Sequence, residues 1–163
     1  MATKSDFTAD EWKTLLESPL LAGFAVSAAD PSGFFGTIKE GWASAKELAA
    51  ARTSASDELI KAVAEDLLTA DGRSAAREGV HGLFQGGKLP DLKVKALAEL
   101  KRAKELLDAK APADAAAFKA WLAHIAQLVA EAAAEGGFLG FGGVQVSDKE
   151  KATLAEINTT LGV

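Results

Sequence analysis

Pro90-Asp91-Leu92-Lys93-Val94-Lys95-Ala96-Leu97-Ala98-Glu99-Leu100-Lys101-Arg102-Ala103-Lys104-Glu105-Leu106-Leu107-Asp108-Ala109-Lys110 carries the plainest periodicity in the chain. Leu92, Ala96, Leu100, Ala103 and Leu107 recur at steps of three and four, which sets them on one helical face as an inward stripe. Gly86-Gly87 breaks the chain before this run, Pro90-Asp91 restarts it, and Pro112 ends it. Downstream, the spacing of Phe118, Leu122, Ile125, Val129 and Ala132, with Trp121 beside them, predicts a second long helix over 113–135.

The same period runs outward to both ends. Residues 75–85 read as a short helix, because Gly79 and Gly82 each weaken it by about 1 kcal/mol relative to alanine, or as one lying against a neighbour's backbone. Leu59, Ile60, Val63, Leu67 and Leu68 form a helix capped by Ser54 or Ser56 and closed at Asp71-Gly72. Phe35, Ile38, Trp42, Ala45 and Ala49 place another between Phe34 and Arg52. At the N-terminus, Thr8 and Glu11 make a capping box with Phe7 and Trp12 as its hydrophobic staple, which opens a helix over 9–17. Ser18-Pro19 reads as the start of a second helix that runs to Ala29, before Asp30-Pro31-Ser32-Gly33. Ser147 and Glu150 box the last helix, with Leu154, Ile157 and Leu161 inward. Only Val144-Gln145-Val146 hints at extended structure, so the fold class expected is all-α: one domain over residues 1–163, a bundle of seven or eight helices without significant sheet.

Composition agrees. The chain holds 35 alanines and no tyrosine, a bias toward residues that lose little side-chain freedom in a helix. Zero cysteines exclude disulfides, thiolate metal sites and a cysteine nucleophile, and two histidines leave little for a zinc centre. A net charge of −5 disfavours nucleic acid as a partner. The N-terminus lacks a signal-peptide pattern and Leu20–Val26 is far shorter than the roughly 20 residues of a membrane span. No transmembrane segment is expected, and the cytoplasm is the expected compartment.

No motif for catalysis withstands its own chemistry. Gly82–Leu89 has the glycine and lysine spacing of a phosphate loop, but Leu89 replaces the magnesium-binding hydroxyl and a helix precedes it where a strand belongs. Gly136–Gly143 reads as a loop packed by its own Phe138, Leu139 and Phe141; exposed, those side chains would make a knob for a partner. His81 and His124 have no ligand-spaced or catalytic partners. The seven Lys and Arg against four acids over 88–110 fit a solvated helix face, and Trp12, Trp42 and Trp121 fall on apolar positions.

Ala28-Ala29-Asp30-Pro31-Ser32-Gly33, Ala70-Asp71-Gly72-Arg73-Ser74 with Glu78 beyond, and Ala134-Glu135-Gly136-Gly137 before Ser147–Glu150 share one pattern: an alanine-rich helix meets an acid and glycine, then a capped helix with an early acid. These joints resemble those of the tellurite-resistance TerB-like helical family, and Glu150–Gly162 is similar to the last helix of such domains. The resemblance implies an all-helical bundle linked to stress, with Asp30, Asp71 and Glu78 as candidate ligands for a divalent metal ion. Three readings follow. The leading one is a non-enzymatic binding or interaction module whose partner is another protein or a small ligand held between helices. The second is an enzyme assembled from scattered carboxylates such as Asp30, Glu40 and Asp71. The third is a homodimer, instead of a monomer, formed through Phe138–Phe141.

Overall fold

The computed structural model describes residues 1–29, 46–52, 57–135 and 146–163, and among these the fold is all-α with no strand. A 3-10 turn (Lys4–Asp6) leads into α1 (Ala9–Ser27). Then follow α2 (Glu58–Leu68), α3 (Ala70–Phe84), α4 (Leu89–Lys110), α5 (Ala115–Glu135) and α6 (Asp148–Leu161), with residues 46–52 also helical. The expected Phe34–Arg52 helix is described only in that last stretch. Ser54, Ser56 and the Gly136–Gly143 loop lie outside the described residues.

Helix α1 is the axis of the bundle. It packs against all five of the other named helices. Trp12, Leu15, Leu16, Leu21, Ala22, Ala25 and Val26 are all buried, a distribution too wide for one stripe. Its start is the predicted one: Thr8 Oγ1 accepts from the Glu11 N–H, Glu11 reaches back to the Thr8 N–H at 2.7 Å, and Phe7 packs on Trp12 with ring centroids 5.9 Å apart.

The expected break at Ser18-Pro19 does not occur. Proline at 19 removes the N–H that would bond the Leu15 carbonyl, and the Ser18 hydroxyl donates to that carbonyl instead, at 2.8 Å and fully out of water. With the orphaned acceptor satisfied, burial on both flanks carries the helix through the proline, so one helix stands where two were expected.

The expected closure at Asp71-Gly72 also moves. Asp57 caps α2, accepting from the N–H groups of Leu59 and Ile60 at 3.0 and 3.1 Å. Thr69 stands between α2 and α3: its hydroxyl donates to the Asp66 carbonyl at 2.6 Å and accepts from the Gly72 N–H at 3.0 Å. Asp71 and Gly72 therefore form the first turn of α3. A Cβ at position 72 would collide with the Asp66 carbonyl, which is why glycine stands there. Helix α3 is accordingly longer than the predicted 75–85, starting at Ala70.

The remaining helices follow their stripes. Leu92, Ala96, Leu100, Ala103 and Leu107 of α4 and Phe118, Leu122, Ile125 and Val129 of α5 are buried, as are Ile157 and Leu161 of α6. Gly86, at φ +73°, turns the chain between α3 and α4 in a conformation glycine adopts freely. Phe24 stacks on Phe84 at 4.1 Å, fastening the end of α3 to α1. Asp66 ties the N-terminus down: Trp12 Nε1 and Lys4 Nζ donate to the same oxygen at 2.7 and 2.6 Å. Burial pushes this carboxyl up, but the two hydrogen bonds together outweigh it and hold it below the usual carboxylate range.

The repair at Pro19 makes a quantitative prediction. Ser18→Ala leaves the Leu15 carbonyl unanswered and should cost about 1–3 kcal/mol in urea unfolding. In a Pro19→Ala background, where a backbone N–H is restored, the same change should cost clearly less. Equal costs in both backgrounds would mean that Ser18 does not substitute for the lost bond.

Candidate functional site

Glu17 lies seven positions after Asp10, so Asp10, Lys13, Thr14 and Glu17 lie along one face of α1. That face meets α3 at Glu78, Gly79, Gly82 and Leu83, and α4 at Glu99 and Arg102. Together they line an open cleft of about 430 Å³. Its size is within the usual range of small-ligand sites.

Two glycines shape this cleft. A Cβ at Gly79 would overlap the Glu17 carboxylate, and one at Gly82 would enter open space. The helix-weakening glycines of α3 thus leave backbone at the wall of the cleft. They do not shorten α3, and at Gly79 the close neighbours are the Glu17 and Lys13 side chains.

Glu17 is the unusual group. Its side chain is only 9% exposed, and its ion-pair partner Lys13 stands at 3.8 Å, outside hydrogen-bond distance. Burial pushes the Glu17 carboxyl above its ordinary value; Lys13 and Arg102 pull it down and Glu99 pushes it up further. Arg102 is itself 3.7 Å from Glu99. Four acids face two bases around the cleft, leaving its lining acidic.

The groups singled out from the sequence lie elsewhere or do not converge. Asp30 is outside the described residues, as are Glu40 and Trp42. Asp71 is exposed in the first turn of α3. Glu78, exposed and two turns on, accepts from Ser74 at 3.1 Å. About 10 Å of helix axis separates the two. No three His, Cys, Asp or Glu side chains are grouped to hold a metal ion among the described residues. Glu78 does border the cleft, on the wall opposite α1.

Gly82–Leu89 is a helix end, a turn and the start of α4. His81 is exposed, and exposed His124 stands 3.7 Å from Glu47. The basic excess of α4 is spread over surface ion pairs, including Lys104 with Asp108 at 2.8 Å and Lys110 with Glu11 at 2.6 Å. Trp12 serves the core, and Trp121 is buried with no hydrogen-bond partner for its Nε1–H among the described residues, edge-on to Phe118 at 5.3 Å. The buried carboxylates Asp57 and Asp114 serve the backbone: Asp57 caps α2, and Asp114 accepts from the Ala2 N–H at 2.7 Å.

Reading 9–17 as a complete helix put Glu17 at an exposed end, which hid it. The available signal was its place inside the apolar run Leu15-Leu16-Glu17-Ser18-Pro19-Leu20-Leu21. No protein-family model matches the chain, and neither a curated protein nor a solved structure does. No helix among the described residues is long and apolar enough to cross a membrane.

The raised Glu17 carboxyl fixes the sign of a pH effect. The native state holds this proton more tightly than the unfolded chain, so the contribution to stability is present at acid pH and is lost as pH rises through the folded value. Glu17→Gln removes the buried charge. It should raise Tm at about pH 7.5 by a few degrees, about 2–4 °C for each kcal/mol relieved, and by less at about pH 4. Thermal unfolding of both proteins at both pH values checks this.

Proposed function

We propose that this chain is a binding module that holds a small ligand in the cleft between α1, α3 and α4. One observation carries the reading: a carboxylate nine-tenths out of water borders an open cleft, and its ion-pair partner among the described residues, Lys13, comes no closer than 3.8 Å. A buried charge without a close partner is costly to keep, and a ligand that supplies the partner recovers that cost as binding energy. The glycine wall supports the same reading, because Gly79 gives the carboxylate room and Gly82 leaves the wall open where a side chain would stand. So does the frame, since Phe24 on Phe84 and the inward stripe of α4 fix the walls from the apolar side.

Backbone amide shifts recorded while cationic, anionic and neutral small molecules are added as separate pools test it. Binding should move the amides of Lys13, Thr14, Glu17, Gly79, Gly82 and Leu83 together, with at least one pool. Shifts confined to other helices, or none with any pool, would contradict the reading.

A further inference from the structure

We propose that the Met1–Ala2 bond is a processing site, and that the α-ammonium group its hydrolysis leaves on Ala2 is the cation for a buried pair of carboxylates, Asp114 and Asp57. Neither acid lines the cleft, so the inference stands apart from the binding reading.

Asp114, just before α5, is 2% exposed, and Asp57, the cap of α2, is 8% exposed. Burial pushes the Asp57 carboxyl up, the Ile60 and Leu59 N–H groups draw it down, and the Asp114 carboxyl beside it raises it further. Two carboxylates taken out of water side by side call for a cation. Among the described residues no lysine, arginine or histidine pairs with either one.

The nitrogen that answers this need is already in place. The Ala2 N–H donates to Asp114 Oδ2 at 2.7 Å, and Ala2 packs against the core, whereas Met1 is 71% exposed. As part of a peptide bond, that nitrogen offers one proton and no charge. Hydrolysis breaks the bond between the Met1 carbonyl carbon and the Ala2 nitrogen. The carbon takes the water oxygen and departs as a carboxylate, and the freed nitrogen takes up a proton to become an ammonium. An α-amino group, with an ordinary pKa of about 8, keeps that proton at neutral pH. The contact with Asp114 is then charge-assisted, about twice as strong as the neutral bond it replaces.

The residues around the bond fit. Alanine at position 2 has the small side chain that methionine-removing aminopeptidases accept. In the unprocessed chain the Met1 ammonium acts on Asp6, an exposed carboxyl already held low by hydrogen bonds from the Thr3 N–H and hydroxyl. Water screens that pair, so the charge contributes little there. Removing Met1 brings the ammonium one residue along, onto a carboxylate where low dielectric strengthens its effect. One group then ties the N-terminus to the start of α5 and, through Asp57, eases the charge at the cap of α2.

The test compares two forms of the whole chain, one beginning at Met1 and one at Ala2, each released from a removable N-terminal fusion. At about pH 7 the Ala2 form should unfold at a Tm about 2–8 °C above that of the Met1 form. Asp114→Asn keeps an acceptor for the Ala2 nitrogen and removes the charge, and it should abolish the gain. Acetylating the Ala2 amine should abolish it too, because the nitrogen becomes a neutral amide again without Met1 being restored. If Asp114→Asn does not fold, the acetylated form decides alone. Equal Tm values for the two starting forms, or a gain that survives either change, overturns the inference. Processing is read from the intact mass of the chain expressed in cells from Met1: a mass short of one methionine is expected, and a retained methionine overturns the assignment of the bond.

Discussion

The covering of α1 by its neighbours is the constraint from which the rest of the structure follows. A helix wrapped by other helices cannot leave a polar group to water, so every donor and acceptor on it must be answered within the bundle. At Pro19 the unanswered group is the Leu15 carbonyl, and the adjacent Ser18 hydroxyl answers it. At Trp12 it is the indole N–H, and Asp66 of α2 answers it while also receiving Lys4. Thr14 bonds back to the Asp10 carbonyl in the same way. The Ser18 and Thr14 devices are local and the Asp66 one is tertiary, and together they let a helix containing a proline and several polar side chains run through the middle of a core.

Glu17 is the buried carboxylate on that helix, and among the described residues its ion-pair partner is Lys13 at 3.8 Å. It stands one residue before the repaired turn, where the covering by α3 and α4 is broken by glycine instead of being filled by side chains. A longer side chain at position 79 would close the cleft and displace the carboxylate. The site is thus the consequence of two features that look like weaknesses in isolation: glycines inside α3, and a charged residue inside an apolar run of α1. Both are departures from the pattern that stabilises a helical bundle, and they coincide in space.

The fold class was legible because long apolar stripes recur at helical spacing. The faces of α4 and α5 are buried at the residues their periodicity selects, except Ala132, which is half-buried, and the capping boxes at Thr8 and Ser147 mark the starts of α1 and α6. What misled the reading was punctuation. Pro19 and Asp71-Gly72 carry strong local signals for a helix boundary, yet tertiary contacts decide otherwise: Ser18 removes the penalty at one, and Thr69 takes over the boundary at the other. The site was not legible for a related reason. Once α1 was divided at Pro19, Glu17 became a terminal residue. The closeness of Asp10, Glu17, Glu78 and Glu99 depends on which faces of α1, α3 and α4 meet, which no spacing within a single helix reveals.

The resemblance of the helix joints to TerB-like domains rested on the same punctuation. Its central joint, Asp71-Gly72, lies inside the first turn of a helix capped by Thr69, and Ser74 bonds to Glu78 within that helix instead of capping it. Glu17, buried beside the cleft with Lys13 at 3.8 Å, is the group whose titration bears on the cleft most directly. The direct measurement is a carbon-detected NMR titration of the Glu17 side-chain carboxyl across acid pH. A midpoint above the ordinary glutamate range is what a desolvated carboxylate requires; an ordinary midpoint would show that Glu17 is solvated and that the cleft is only a surface furrow.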